Sequence, residues 1–533
     1  MERSLDLGKA TGDNLIEGAL TPGTGASVRS HDPDTGWDGE VAFHDADVEQ
    51  IDHAMRAAVE AFPTIASDRD GRARMLDRAA DLLDAHTDDL VPIADRETCL
   101  GATRLTGELA RATAQLRRFA EVARDGRYLD AVIDTARTDA TPPRPDVRLL
   151  RHAIGPVAVF GASNFPFAFS VPGGDTASAL AAGCPVVLKA HPAHPATSEL
   201  TARVLIAAAQ DAGLPAGTVS LIHGSDRSVG TALVEHPALR AVAFTGSTAG
   251  GRALFDVAAA RDEPIPVYAE MGSTNPVFVT RGAIASNGAT IATQLAGSML
   301  QSMGQFCTKP GVIVVPTGEE GDAFVDDLRA AFVAIEPHSL LTPGISDTFV
   351  RGAVSVRNID GVQMLVDGAT GNDGSVHEAV LASTDAASFR ADPRLREECF
   401  GPFSIVVRAS DDEVTAVADR LDGMLVATLF VDDAELEDVT ELWATLRERA
   451  GRLVVDGVPT GVAVTTAMHH GGPYPATTSP GFTSVGDRAI DRFVRPVAYQ
   501  STPQALLPPE LHDDNPLGLL RTVDGRSTTE PVS

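Results

Sequence analysis

Cys307 stands in Gly304-Gln305-Phe306-Cys307-Thr308-Lys309-Pro310-Gly311, among small and helix-breaking residues that let a substrate come close. A cysteine there has two readings. It is an inert thiol, as most free cysteines are, or it is a nucleophile, with Lys309 two residues on to favour the thiolate. Glu270 ends an apolar run in Tyr268-Ala269-Glu270-Met271-Gly272-Ser273-Thr274-Asn275-Pro276. It is a solvated turn acid, or a functional carboxylate at a strand end, where the sites of parallel sheets gather. Asn164, in Gly161-Ala162-Ser163-Asn164-Phe165-Pro166-Phe167, is an ordinary turn asparagine or an amide that donates to a developing oxyanion. Finally, Phe244-Thr245-Gly246-Ser247-Thr248-Ala249-Gly250-Gly251 follows an apolar run and opens an alanine-rich stretch. Ser247 or Thr248 caps a helix there, and the same helix start with its glycines suits a pyrophosphate.

The surrounding pattern says what must position these groups. Short apolar runs recur at Val157–Phe160, Val186–Leu188, Val219–Ile222, Ala241–Phe244 and Val267–Ala269, with starts 29, 33, 22 and 26 residues apart. Helical stretches such as 197–212 and 248–260 lie between them. Strand and helix alternating at that spacing predict a parallel sheet. A second series follows: Pro276–Val279, a helix near 284–301, Val312–Val315, a helix near 322–334, and strands near 404–407, 426–431 and 452–456. The boundary between the two falls near 270. Ahead of both, 47–95 and about 104–125 have helical periodicity. Pro142, Pro143 and Pro145 forbid a helix in 129–150, which reads as an extended arm or hairpin. Residues 501–533 are polar and proline-rich, the composition of a loosely packed tail.

Composition narrows the function. The 533 residues carry 43 basic and 73 acidic side chains, a net charge of −30. Nucleic acid and acidic membrane surfaces are poor partners for such a chain. Cys99, Cys184, Cys307 and Cys399 are too few for a disulfide framework and form no C-x-x-C pair, so neither a disulfide scaffold nor a metal site is expected. The N-terminus has no basic or apolar leader pattern, and the expected location is the cytoplasm. There are three lysines, Lys9, Lys189 and Lys309, against forty arginines. The last two fall within or beside the runs described above.

Taken in order, the motifs resemble the aldehyde dehydrogenase superfamily over roughly residues 30–500. Glu270 lies 106 residues after Asn164, Cys307 lies 37 further on, and Glu398 of Glu397-Glu398-Cys399-Phe400-Gly401-Pro402 lies 91 beyond that. The resemblance implies an α/β chain with two Rossmann-like parallel-sheet domains and a small oligomerisation arm. Residues 1–128 and 150–269 would bind the dinucleotide, 270–475 would be catalytic, 129–149 and 486–505 would serve oligomerisation, and 506–533 would be a tail. It implies Cys307 as nucleophile, Asn164 and the Cys307 N–H as oxyanion donors, and Glu270 as the base that hydrolyses the thioester. Lys189, Gly246, Ser247, Gly251, Glu398 and Phe400 would hold the cofactor, with Ser247 on the pyrophosphate and Glu398 on the nicotinamide ribose.

Phe160-Gly161-Ala162-Ser163-Asn164-Phe165-Pro166, Lys189-Ala190-His191-Pro192-Ala193-His194-Pro195, Gly304-Gln305-Phe306-Cys307-Thr308 and His470-Gly471-Gly472-Pro473-Tyr474-Pro475 are similar to the 2,5-dioxovalerate (α-ketoglutarate semialdehyde) dehydrogenases. NADP-dependent fatty aldehyde dehydrogenases share some of these stretches. The implied reaction is oxidation of 2,5-dioxopentanoate, with a medium- or long-chain aliphatic aldehyde, or a silent binding homologue, as alternatives. Met271-Gly272-Ser273 departs from the usual Leu-Gly-Gly. Pro192 stands where NAD-selective relatives carry an acid, so NADP is the expected cofactor, with NAD as the other choice. Arg227 would grip the 2′-phosphate bidentately, although Asp226 beside it could instead hold ribose hydroxyls. An anionic substrate would need a local arginine, because screening leaves only short-range fields. The arm and the family pattern imply a homodimer or homotetramer.

Overall fold

Runs of Val, Ile, Leu and Ala without a polar face form strands buried on both sides, as a parallel sheet requires. The computed structural model describes residues 5–368 and 376–532. Its first sheet places Val267–Glu270, Ala241–Thr245, Val157–Phe160, Val186–Lys189 and Val219–Ile222 side by side and parallel. The antiparallel hairpin Asn14–Ile16 and Ala19–Thr21 extends it. Strand order reverses between Val157–Phe160 and Ala241–Thr245, and ligands bind at the carboxyl ends of strands at such a switch point. Alternate side chains feed two cores. Val157, Val159, Val186, Leu188 and Leu221 face one, and Ala158, Phe160, Val187, Ile222 and Val242 face the other.

The second sheet runs Val380–Asp385, Phe403–Ala409, Val312–Pro316, Val277–Val279, Met424–Phe430 and Ala450–Val455, all parallel, with Gln363–Val366 antiparallel at one edge. Its residues also divide by alternation, Val312 and Val314 to one side and Ile313 and Val315 to the other. The stretch 47–95 contains separate helices. Val48–Ser67 ends at Asp68, whose carboxylate caps Arg69–Ala85 by accepting from Gly71 N at 2.8 Å. Thr87–Thr98 and Ala102–Asp125 follow. Among the described residues no helix is long and apolar enough to cross a membrane.

The arm is a hairpin of Val132–Asp134 and Val147–Ala153, and the latter also pairs with Val494–Gln500. Residues 501–532 differ from the loose tail expected for 501–533. Arg521–Val523 pairs in parallel with Val132–Asp134 and covers that edge from within the chain. Leu507, Leu511 and Leu519 join the first core. Arg521 is 1% exposed and donates to the carbonyls of Glu510 and His512. Asn515 Nδ2 donates to Leu519 O at 2.9 Å and Thr529 O at 2.7 Å. Polar composition misled here because these groups hydrogen-bond to their own backbone instead of to water.

Candidate active site

Cys307 is placed by a strained loop and two staples. The helix Arg281–Leu300 gives way to Ser302, Met303 and Gly304, all in the left-handed region at φ 48, 55 and 65°. Two of these are not glycine, and such strain collects at functional sites. Gly304 has no alternative, since a Cβ there would lie 2.2 Å from Gly401 O. Asn275 Nδ2 donates to Cys307 O at 2.7 Å and to Lys309 O at 2.9 Å. Lys309 does not assist the sulfur, as its position had suggested. Its buried ammonium donates to the carbonyls of Cys399 (2.8 Å), Gly401 (3.1 Å) and Phe403 (2.7 Å). It therefore pins the Glu398 turn to the Cys307 loop. The Cys307 thiol is partly exposed, and its pKa is pushed well above the usual range by burial and by the charges of Glu270 and Glu398, with Arg111 opposing. At rest it is a thiol and needs a proton acceptor to react.

A buried pair of side chains stands beside it. Glu270 is the last residue of its strand, and residues 476–478 run beside it through Met271 N to Ala476 O at 2.8 Å and Thr478 N to Ala269 O at 3.1 Å. This segment carries His470 and Ser484 inward. His470 Nε2 lies 3.0 Å from Glu270 Oε1 and 3.7 Å from Cys307 Sγ. Ser484 Oγ donates to Glu270 Oε2 at 2.8 Å. The ligating atoms of Glu270, Cys307 and His470 all fall within 4.8 Å of one another. Burial raises the Glu270 pKa, but the His470 imidazole, Ser484 and the Cys307 thiol outweigh it and hold the carboxyl below the ordinary value. His470 was quoted in the sequence only as part of a similar stretch and given no role. Its signal was the pair of glycines after it. A Cβ on Gly472 would come 2.1 Å from Met424 O, so this backbone lies directly on the second sheet.

Asn164 is buried, and its Nδ2 donates to Gln305 O at 2.9 Å, two residues before the cysteine. That amide nitrogen keeps a second hydrogen. The Cys307 N–H also has no acceptor among the described residues. Two donors with a hydrogen to spare therefore lie on the Cys307 loop, Asn164 Nδ2 at Gln305 O and the Cys307 N–H, and both are of the type an oxyanion hole uses. Arg104 and Glu108 hold Asn164 there. Arg104 Nη2 donates to Asn164 O at 2.6 Å, with its guanidinium over Phe165 and Phe306. Glu108 Oε1 accepts from Phe167 N (2.8 Å) and Ala168 N (2.9 Å). Neither residue was picked out in the sequence.

The switch point fits a dinucleotide. Gly246 and Ser247 are exposed at the start of Thr248–Ala259, where Ser247 caps Gly250 N at 3.2 Å. Thr245 Oγ1 is buried with no partner among the described residues. A Cβ on Gly251 would meet Met271 Sδ at 2.7 Å, and one on Gly272 would meet Glu398 Oε2 at 2.4 Å. Burial raises the Glu398 carboxyl to about 7, against the pull of Lys309. Phe400 is half-exposed beyond it. Lys189 Nζ donates to Gly224 O at 2.5 Å, and burial lowers its pKa to about 8. Asp226 caps the helix Arg227–Glu235 by accepting from Ser228 N at 2.7 Å. Arg227 is exposed with no partner among the described residues.

The aldehyde dehydrogenase family model matches residues 22–473. The chain belongs to the aldehyde dehydrogenase family. It is 45% identical over 524 residues to alpha-ketoglutaric semialdehyde dehydrogenase 2 of Azospirillum brasilense, covering 97% of this chain and 99% of that one. It is 43% identical to alpha-ketoglutaric semialdehyde dehydrogenase of Acinetobacter baylyi, covering 91% and 92%. As an aldehyde dehydrogenase fold it superimposes on 1-pyrroline-5-carboxylate dehydrogenase of Thermus thermophilus with a TM-score of 0.78, at 20% identity and covering 92% of each chain. Methylmalonate-semialdehyde dehydrogenase of Oceanimonas doudoroffii aligns with a TM-score of 0.77 at 23% identity, covering 92% of this chain and 97% of that one.

Proposed function

We propose that this aldehyde dehydrogenase oxidises 2,5-dioxopentanoate to 2-oxoglutarate through a thioester on Cys307. The observation that carries the chemistry is the convergence of Cys307 Sγ, His470 Nε2 and Glu270 Oε1. The substrate rests on the two relatives above, whose names specify this semialdehyde and which match nearly the whole chain. The thiol gives its proton to Glu270, which His470 keeps ionised and which releases the proton to solvent, and the sulfur attacks the aldehyde carbon. Asn164 Nδ2 and the Cys307 N–H receive the oxyanion. A bound nicotinamide dinucleotide supplies the two-electron acceptor. The acyl group then remains on sulfur as a thioester. Glu270, ionised and buried, takes a proton from water, which attacks the acyl carbon; the carboxylate leaves and the thiol is restored.

The first sheet with Lys189, Gly246, Ser247, Gly251, Glu398 and Phe400 forms the dinucleotide site in this reading, and the second carries the nucleophile. NADP is the preferred cofactor. Asp226 is engaged as a helix cap, Pro192 brings no repelling acid, and Arg227 is free to grip a 2′-phosphate. The enzyme works in the cytoplasm as a homo-oligomer, with Val494–Gln500 as the sheet edge open to a partner. The test is kcat/KM for 2,5-dioxopentanoate against hexanal, with NADP⁺ and with NAD⁺. The reading requires a preference for the oxo acid, activity abolished in Cys307→Ser, and a cofactor ratio that shifts toward NAD⁺ in Arg227→Ala. A preference for hexanal would favour the aliphatic alternative.

A further inference from the structure

We infer that Arg111 is the group that holds the carboxylate end of the substrate. This rests on the oxo-acid reading above. The chain carries 30 more acidic than basic charges, and the other four arginines of the Arg111 helix, Arg104, Arg117, Arg118 and Arg124, each face a carboxylate. Arg111 does not. On the helix Ala102–Asp125 it is half-buried, and among the described residues no carboxylate oxygen comes within 4 Å of it. Its one hydrogen bond is from Nη2 to Val462 O at 3.2 Å. The remaining hydrogens of the fork have no acceptor among the described residues, and such a fork matches a carboxylate. Glu108, one turn before it, spends Oε1 on two backbone amides, and its Oε2 faces Arg104 at 3.9 Å.

Position gives this free charge a purpose. The guanidinium stacks over Phe169 at 5.0 Å, and the far side of the same neighbourhood is His470, 6.1 Å from that ring. Phe169 also meets Phe165, which meets Phe306 beside the nucleophile. An aromatic wall thus runs from Cys307 to Arg111, a cation with no carboxylate partner among the described residues. In 2,5-dioxopentanoate the carboxylate lies four bonds from the aldehyde carbon. An apolar wall ending in an arginine suits a short aldehyde with an anionic end better than a plain alkyl chain. Arg452 lies near as well, but its Nη1 and Nη2 donate to Gly461 O and Pro459 O. It braces the loop whose Val462 carbonyl steadies Arg111.

The experiment compares 5-oxopentanoate with pentanal, a pair differing only in the terminal carboxylate, in the wild-type holoenzyme and in Arg111→Met and Arg111→Lys. The wild type is expected to prefer the acid. In Arg111→Met the acid-over-pentanal ratio of kcat/KM falls about 10- to 100-fold, the worth of one lost charged hydrogen bond. The loss appears mainly in KM, and Arg111→Lys recovers part of it. A second measurement needs no variant: 2-oxoglutarate should slow alkylation of Cys307 by iodoacetamide in the wild type, and pentanamide should not. A wild type without preference for the acid overturns the oxo-acid reading itself. A wild type that prefers the acid, with the ratio unchanged in Arg111→Met, overturns Arg111 alone, as does equal protection by the two additives.

Discussion

Replacing His470 gives the sharpest test of the site, because one nitrogen faces both the nucleophile and the base. His470 Nε2 sits 3.0 Å from Glu270 Oε1, inside a pocket where both side chains are buried. The pair meets at ion-pair distance without an aligned hydrogen bond to Glu270 Oε1 among the described residues, and a contact to a buried charge contributes about 1.5–3 kcal/mol. Full charge on both groups at that distance gives a ceiling of about 5–6 kcal/mol at an effective dielectric constant near 20. The sign follows from the base's role. In the proposed mechanism Glu270 acts when ionised, and His470 holds its pKa down. Removing the imidazole raises that pKa, so the acid limb of the rate profile moves to higher pH. On that limb His470→Ala should lose about 10- to 150-fold, the rate equivalent of 1.5–3 kcal/mol. His470→Gln, whose amide nitrogen reaches the same place, should return the limb toward the wild-type position. The assay is hydrolysis of a p-nitrophenyl ester from pH 5 to 9, which loads Cys307 and discharges it without cofactor. A His470→Ala profile that superimposes on the wild type, or moves to lower pH, would refute the relay.

Three further outcomes follow from neighbouring contacts. Asn164→Ala should lower kcat by about 10²–10³, the usual size for one oxyanion donor; an effect confined to KM would mean that Asn164 only orients substrate. Because burial raises the Glu398 carboxyl to about 7, cofactor affinity should strengthen as pH rises through that value and ionises the acceptor. In Glu398→Gln a titration of cofactor fluorescence should lose this dependence, and a flat wild-type profile would remove Glu398 from the ribose. Lys309→Met leaves three buried carbonyls without their donor, and should cost about 2–4 kcal/mol of stability. An unchanged midpoint in urea would show that the staple carries no weight.

Much of this was legible in the residues because the parallel sheets write themselves plainly. Val219–Ile222 is a strand with the bounds its composition suggests, and Val186 and Ala241 begin theirs as expected. β-branched runs buried on both faces have no competing reading at that length. Cys307, Glu270 and Asn164 drew notice for a different reason, each being a reactive or polar type set among glycines and strand ends, and the structure brings them to one region. What stayed hidden was pairing across distance. Lys309 looked like a partner for Cys307 two residues away, yet its ammonium turns to carbonyls ninety and more residues on. Short separation along the chain is no guide to direction once the backbone turns through Ser302, Met303 and Gly304. The tail failed for a related reason, since burial of Arg521 depends on where its carbonyl partners fold back.

His470 shows most clearly why a site can be half-read. It lies 163 residues after Cys307 and 200 after Glu270, so no local pattern links the three. Its neighbours Gly471 and Gly472 signal close backbone approach, but not to what. Only the second sheet, with Met424 and Gly451 against those glycines, supplies the answer. The consequence is chemical. The Cys307 thiol is held protonated by burial and by two nearby acids, a setting hostile to a nucleophile. The imidazole that lowers the base's pKa also stands within reach of the thiol proton. In the proposed mechanism His470 therefore serves through Glu270: as a donor it keeps that carboxylate ionised, and the ionised carboxylate accepts the thiol proton in the first step and the water proton in the second. Activation is thus assigned to the substrate-bound site, where a charged thiolate is stabilised by reaction instead of being stored at rest.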